Sequence, residues 1–233
     1  MRLKAVYPEL LRDDVSMETA RQLQAEYKAK VLFSPLPVPK TITAVDIAYQ
    51  TTAALGAVAV AVTMSIPALT VIETGQVAGA CNFPYIPGFL GFRELNLVSR
   101  ALFTLEEPVE IILYDGHGIA HPQRFGAACQ LGVALGVPTI GCAKNLYYGR
   151  LHGTLGNSLF SSVPIVDETD GATIGVAMRM HENVKPVYIS AGHLVDLASA
   201  IDIVKACAGG FHLPEPLRQA DIISRKRVTF FED

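Results

Sequence analysis

Hydrophobic and polar positions divide the chain into two parts with different patterns. The first part predicts a helix over 16–31 with Ser16 as its N-cap, ended by a proline-rich stretch at 34–39. Nearly continuous apolar runs follow and predict strands at 41–49, 53–64 and 69–79. Because the links between these runs are short, we expect the strands to form an antiparallel meander.

The second part alternates between helical and extended patterns. Helices are predicted at 87–105, 123–135, 194–206 and 216–226, and strands at 109–114, 138–141, 172–180 and 185–189. The stretch 149–162 is rich in Gly and Ser and predicts a loop or a weak hairpin. A meander followed by alternating elements predicts an α/β fold, with one mixed sheet and helices on both faces.

Composition narrows the class of protein. The 233 residues are 50% hydrophobic and 18% charged, which is enough to bury a substantial core, and we expect one domain over 1–233. No apolar run reaches the roughly 20 residues of a membrane helix, and no secretory signal follows the N-terminus. The four cysteines lack CxxC spacing, so we expect free buried thiols and a cytoplasmic location. A net charge of −3 does not exclude nucleic acid, because a local basic patch is sufficient.

The octet 115–122, DGHGIAHP, contains the strongest candidate chemistry. Asp115 comes directly after a predicted buried strand, where α/β sheets place their functional groups. The glycines that follow let the backbone turn sharply and approach a ligand closely. The alternative for Asp115 is an ordinary Asp-Gly turn.

Two further acids lie inside apolar segments. Asp46 is flanked by β-forming residues, and Glu94 lies on the apolar stripe of its predicted helix. Buried carboxylates are costly unless they are paired or bound to a cation, so several together suggest a metal site. The alternatives are an edge-strand or turn-facing Asp46, and a Glu94 that reaches solvent or pairs with Arg93 or Arg100.

An all-oxygen set of ligands suits Mg²⁺ or Mn²⁺ better than Zn²⁺. Carboxylates that hold Mg²⁺ beside a phosphate are typical of phosphoryl transfer. Lys144, after the short strand 138–141, could stabilise the charge that develops, or it could be a solvated loop lysine.

A zinc hydrolase built on His117, His121 and His193 is the competing hypothesis. His117 and His121 are four residues apart, but Gly118 and Pro122 argue against a helix, so the H-x-x-x-H zinc geometry is doubtful. The alternative for His193 is a turn residue packed at a helix start. Signatures of serine hydrolases, P-loop enzymes and dinucleotide enzymes are absent from the sequence.

Two features could serve nucleic-acid binding. Tyr85 lies in the stiff segment 83–88, FPYIPG, and could project as a stacking wedge or simply pack on the core. The C-terminal helix is basic and could contact a phosphate backbone or be a solvated face; its cations are Arg218, Arg225, Lys226 and Arg227.

Taken together, these blocks resemble the endonuclease V (deoxyinosine 3′ endonuclease) family. The matching blocks occur in the family's order between 41 and 227. They are 45–49, 83–94, 115–126, 141–144, 186–193 and 214–221. The most specific are DGHGIAHP and the PYIPG block with its following FRE.

The resemblance implies a ribonuclease H-like fold and a metal-dependent nuclease. It implies hydrolysis of the second phosphodiester 3′ to a deaminated base, chiefly deoxyinosine, leaving 3′-hydroxyl and 5′-phosphate ends. It implies Mg²⁺ as cofactor with Mn²⁺ as a substitute, and inosine-containing DNA, or RNA, as partner. We expect a monomer without a membrane partner. The alternatives are an inosine-specific endoribonuclease and a non-catalytic nucleic-acid-binding domain.

The resemblance also implies roles for individual residues. Asp46 and Asp115 would bind the metal, with Glu94 and Asp221 completing the acidic site through water or a second ion. Lys144 would stabilise the phosphate. Tyr85 would fill the gap left by the extruded base, and His121 would lie near the lesion strand. The recognition residues are Pro84, Tyr85, Ile86, Pro87, Gly88, Leu90, His121 and Gly126.

Overall fold

Strands dominate the centre of the molecule. The computed structural model describes residues 3–50 and 56–230, which contain one nine-stranded mixed sheet. Its strands are β1 (Thr41–Tyr49), β2 (Gly56–Ser65), β3 (Val71–Ala80), β4 (Ile112–Tyr114), β5 (Thr139–Ala143), β6 (Arg150–Leu151), β7 (Ser162–Val166), β8 (Thr173–Met178) and β9 (Val187–His193). Their order across the sheet is β3-β2-β1-β4-β5-β9-β8-β7-β6.

The strand pairing confirms the predicted mixed sheet. The first three strands pair antiparallel as a meander, whereas β1–β4 and β4–β5 are parallel. The remaining pairs, from β5–β9 to β7–β6, are antiparallel. The parallel pairs bring the carboxyl end of β4 beside the middle of β1.

Helices cover both faces of this sheet. The helices are α1 (Met17–Tyr27), α2 (Leu90–Leu102), α3 (Ala127–Leu135), α4 (Leu197–Ala206) and α5 (Glu215–Phe230). One core contains α2 and α3 with Ala59 of β2, and the opposite core contains α4 and α5 with Val60 of the same strand. Neighbouring residues of a strand point to opposite faces, so two covered faces explain why nearly every residue of β2 is apolar.

Several element boundaries differ from the sequence prediction. The second helix begins at Leu90 rather than at 87, because Pro87 is followed by Gly88 with φ +87°. The third begins at Ala127, after a turn over 121–124. Ser16 caps α1 as predicted. Strand β7 was missed; it begins at Ser162, the last residue of the stretch expected to be a loop or a weak hairpin. The predicted start of the second strand, at 53–55, lies outside the described residues.

Two compositional predictions can be compared with the fold. All four cysteines are free and buried, as expected. Over the described ranges, none of the helices has the length and apolar character required to cross a bilayer.

Glycines let the loop after β4 lie directly on the sheet. A Cβ on Gly118 would overlap the carbonyl of Ala191 in β9, and one on Gly141 would overlap the backbone nitrogen of Gly118. The Gly118 amide also donates to Ser190 Oγ at 2.8 Å. The absence of a side chain at Gly118 and Gly141 therefore lets the loop after Asp115 pack closely against β5 and β9.

Substituting Gly141 tests this close approach. We expect Gly141→Ala to lower the free energy of unfolding by roughly 1–3 kcal/mol, since the added methyl has only backbone atoms to displace. Urea unfolding measures the change. Val71→Ala, on the exposed edge strand β3, is the control and should change stability by less than about 0.5 kcal/mol. Equal midpoints for both variants would contradict the proposed contact.

Candidate functional site

Three carboxylates from distant parts of the chain meet at one point. Asp46 lies within β1, Asp115 directly follows β4, and Asp221 lies on α5, which packs against β1. One oxygen from each lies within 4.8 Å of the other two. The parallel register pairs Val45 with Tyr114, so Asp46 and Asp115 follow paired residues. Asp46 is on a central strand, so the edge-strand alternative is wrong.

Lys144 lies beside the carboxylates at the end of β5. Its Nζ is 2.6 Å from Asp115 Oδ2 and 2.8 Å from Asp221 Oδ1. Burial opposes a charge on Lys144, but the two carboxylates outweigh burial and raise its pKa above the usual value. Lys144 is therefore a fixed ammonium group, and the solvated-loop alternative is wrong.

Asp46 and Asp221 differ in their electrostatic environments. Burial, with Asp115 and Asp221 adding to it, raises the pKa of Asp46 to about 7. The hydroxyl of Ser224 opposes this by donating to Asp46 Oδ2 at 2.5 Å. Burial also acts to raise the pKa of Asp221, but Lys144 and Arg225 prevail and lower it. A cation among the three acids would relieve their mutual repulsion.

This donor set fits a hard divalent cation. Carboxylate oxygens are the ligands that Mg²⁺ and Mn²⁺ prefer. Among the residues that the structure describes, this is the one cluster of His, Cys, Asp or Glu side chains close enough to hold a metal. The three histidines of the zinc hypothesis form no such cluster, and His193 Nδ1 accepts the Leu32 amide at 3.2 Å.

Glu94 is buried near this group but makes different contacts. Its carboxylate accepts hydrogen bonds from the Tyr49 hydroxyl at 2.7 Å and from the Tyr114 hydroxyl. Burial raises the pKa of Glu94 to about 7. The solvent-reaching and ion-pair alternatives are wrong, since Glu94 is 6% exposed and Arg93 instead stacks on Tyr49. Glu94 is not a member of the three-carboxylate cluster.

A cavity of about 640 Å³ joins the acidic cluster to most of the predicted recognition residues. It is lined by the three aspartates, Lys144 and Glu94, and also by Tyr85, Ile86, Pro87, Gly88, Leu90, His121 and Gly126. Pro84 is exposed and does not line it. One concave surface thus holds both the clustered carboxylates and most of the predicted recognition residues.

The cavity wall includes side chains that sequence reasoning missed. Gln24 on α1 donates to the Gly88 carbonyl at 2.7 Å, and His121 Nε2 contacts the same oxygen at 3.1 Å. Tyr147 is 43% exposed, and its ring lies 5.8 Å from that of His121. Gln24 lies on a helix of mixed polarity, so nothing in the sequence distinguished it. Tyr147 follows the candidate Lys144 by three residues, and this proximity could have marked it as a site residue.

The exposure and contacts of Tyr85 and of two basic residues on α5 decide between the alternatives given for them above. The Tyr85 side chain is 71% exposed, so the core-packing alternative for it is wrong. On α5, Arg218 is bound to Glu215 at 2.7 Å and stacks on Phe211. Arg225 lies at the cavity and pairs with Asp221 at 2.9 Å. Of these two basic side chains, Arg225 is therefore the one placed to meet a ligand in the cavity.

Comparison with known proteins agrees with the family resemblance of the sequence. Residues 21–222 match the family model described as Endonuclease V. The curated Endonuclease V of Rippkaea orientalis is 39% identical over 213 residues, covering 91% of each chain. The crystal structure of Streptomyces avermitilis Endonuclease V is similar with a TM-score of 0.87 and 36% identity, covering 94% of this chain and 96% of that one. Ciona intestinalis Endonuclease V, crystallised with a 24mer DNA containing an inosine followed by a ribo-adenosine, is similar with a TM-score of 0.81 and 27% identity, over 92% and 98% of the chains.

Removing the Ser224 hydroxyl tests the electrostatic description of Asp46. If the three carboxylates hold a divalent cation, its affinity should fall as the pH drops through about 7 and Asp46 is protonated. Ser224→Ala removes a hydrogen bond to the charged form and raises this pKa further, so we expect the loss to begin at higher pH. Calorimetric titration with Mn²⁺ over a pH series measures the shift.

Ser99→Ala is the matched control, because Ser99 is a buried helical serine that donates to a backbone carbonyl. Its pH profile should coincide with that of the parent protein. Coincident profiles for Ser224→Ala and the parent would remove the assigned effect of Ser224 on Asp46.

Proposed function

The chain belongs to the endonuclease V family, and on that premise we propose that it hydrolyses the second phosphodiester 3′ to a deaminated base, chiefly deoxyinosine. The products would carry 3′-hydroxyl and 5′-phosphate ends. The observation that carries this proposal is the single cavity that joins three converging carboxylates and Lys144 to the Gly88–Leu90 backbone. The inosine-containing DNA bound by the Ciona relative supports the substrate class.

We assign the cation site to Asp46, Asp115 and Asp221, with Mg²⁺ as the cofactor and Mn²⁺ as a substitute. When bound, the cation lowers the pKa of a water ligand and offsets the charge of the attacked phosphate. Glu94 completes the acidic site through water or a second ion, and its orientation is fixed by Tyr49 and Tyr114.

Lys144 acts on the phosphate directly. Its ammonium group stays charged and is oriented by Asp115 and Asp221 before substrate arrives. A preoriented charge requires little reorganisation when negative charge develops on the phosphate oxygens, which is the condition for strong electrostatic stabilisation. With a cation held by the same two aspartates, Lys144 would be able to donate to a phosphate oxygen.

Lesion recognition belongs to the other side of the cavity. The exposed Tyr85 ring serves as the wedge that replaces an extruded base. The segment 88–90, with Gly126, lines the base pocket. Burial lowers the pKa of His121 to about 4, so the ring is neutral, accepts the Gln123 amide at Nδ1 and donates from Nε2 to Gly88. His121 therefore holds the pocket backbone beside the lesion strand.

A matched set of DNA and RNA duplexes, each with one inosine, tests the proposed reaction. We expect nicking at the second linkage 3′ to inosine only when Mg²⁺ or Mn²⁺ is present. Asp46→Asn and Asp115→Asn should each lower the rate by more than about 100-fold, since each removes a charged ligand oxygen. Asp202→Asn, on the exposed face of α4, is the control and should cleave normally.

The panel also separates the remaining alternatives. Cleavage of the RNA members alone would identify an inosine-specific endoribonuclease, and binding without cleavage would identify a non-catalytic domain. Undiminished nicking by a folded Asp46→Asn or Asp115→Asn protein would remove that residue from the proposed site. One catalytic domain over 1–233, a monomeric state and a cytoplasmic location stay predictions.

The wedge assignment makes a separate prediction. Tyr85→Ala should weaken binding of an inosine duplex by about 1–3 kcal/mol, whereas Tyr85→Phe should retain most of the affinity because the stacking ring remains. Fluorescence anisotropy in the Asp115→Asn background measures binding without cleavage. Phe103→Ala removes a ring that is 41% exposed outside the cavity and serves as control. Equal affinity of Tyr85→Ala and the parent would refute the wedge.

A further inference from the structure

Asp167, the first residue after β7, is a buried carboxylate whose two oxygens bind three segments of the chain. Oδ1 accepts from the Thr169 amide at 2.9 Å, the Thr169 hydroxyl at 2.7 Å and the Tyr148 hydroxyl at 3.0 Å. Oδ2 accepts from Arg124 Nε at 3.1 Å and Nη2 at 2.7 Å. The side chain is 3% exposed.

The turn between β7 and β8 requires only part of this arrangement. An Asp that accepts the amide two residues ahead is a common way to close a turn, and one oxygen is sufficient for it. The contacts with Tyr148 and Arg124 join the turn to residues that are 19 and 43 positions away. A buried carboxylate is tolerated only when its hydrogen-bonding capacity is met, and here distant segments meet it.

The contact with Arg124 leads to the recognition side of the cavity. Arg124 has φ +53°, a left-handed conformation that is uncommon for a residue with a side chain. Its amide donates to the His121 carbonyl at 2.8 Å, which closes the turn that carries His121. His121 in turn contacts the Gly88 carbonyl at 3.1 Å. Holding the guanidinium group therefore holds the turn beneath the base pocket.

The contact with Tyr148 leads to the segment 144–148, which begins at Lys144. Tyr148 follows Lys144 by four residues and is the neighbour of Tyr147, whose ring packs against His121. Asp167, Arg124 and Tyr148 do not line the cavity themselves. Tyr148 packs against a small hydrophobic cluster, whose buried members are Ala120, Ile165 and Ile174.

We propose that Asp167 is a positioning residue for the nuclease reaction, one that holds the segments 121–126 and 144–148 at their working separation. The inference rests on the proposed function for its kinetic consequences, but the tether itself is a property of the fold. A small shift in either segment would displace His121 or Lys144, and misplacements of about 1 Å are known to cost up to about 100-fold in rate.

Two conservative substitutions remove the contact with Arg124 and the contact with Tyr148 separately. Asp167→Asn keeps an acceptor toward Thr169 and Tyr148 but turns an amide donor toward Arg124, so the recognition connection fails. Tyr148→Phe removes only the hydroxyl on the Lys144 side. Asp170→Asn is the matched control, because Asp170 contacts the same Arg124 at 3.0 Å but is 58% exposed, where an ion pair contributes little.

Cleavage kinetics on an inosine-containing DNA duplex with Mg²⁺, together with hydrogen–deuterium exchange of the free protein, form the test. We expect Asp167→Asn to raise KM by about 10-fold with a smaller change in kcat, and Tyr148→Phe to lower kcat by about 10-fold with a smaller change in KM. Exchange should rise in 121–126 for the first variant and in 144–148 for the second. Asp170→Asn should match the parent in both measurements.

Two outcomes would overturn the proposal. One is parent-like kinetics and exchange in both variants. The other is faster exchange spread evenly over the chain without a split between KM and kcat, which would make Asp167 a general stability residue. A parent protein that does not cleave inosine duplexes would instead refute the proposed function, and localised exchange in the variants would still support the tether.

Discussion

Like charges gathered at the junction of β1, β4 and α5 are the constraint on which the rest of the site depends. Three carboxylates within 4.8 Å repel one another, and burial makes the repulsion stronger. Two side chains reduce this repulsion. Lys144 forms salt bridges with Asp115 and Asp221, and the Ser224 hydroxyl donates a hydrogen bond to Asp46. Asp46 has no salt-bridge partner among the described residues, so its negative charge favours the binding of an additional cation.

The positions of these charges follow from the sheet rather than from their own contacts. Asp46 lies within β1 and Asp115 directly follows β4, its parallel neighbour. Apolar cores cover both faces of the sheet. The loop after β4 then needs glycines at 118 and 141 because no Cβ fits where it crosses the sheet. Strand register and close backbone packing thus fix the positions of Asp46 and Asp115, and both tolerate little change.

Sequence reasoning worked where a residue contradicted its local pattern. Asp46 and Glu94 stood out as acids in apolar surroundings, and both line the cavity. Asp221 could be found only through the family resemblance, because an acid on a polar helix is unremarkable in sequence. Gln24, Tyr147 and Asp167 were missed because their roles arise from contacts between distant segments, as with the bond from Gln24 to Gly88. Strand β7 was missed because it follows a Gly- and Ser-rich stretch and contains Pro164, both of which indicate loops.

The two halves of the cavity are held by different physical means. Asp46, Asp115 and Lys144 lie on or directly after strands, and Asp221 lies on a helix packed against one of them. Gly88 and His121 lie in loops that are joined by a few polar contacts. Loops of that kind change at small cost to the core, while strand positions do not. The recognition loops can therefore vary without moving the acidic cluster. For the proposed nuclease, that separation would let the recognition side change while the three carboxylates and Lys144 stay in place.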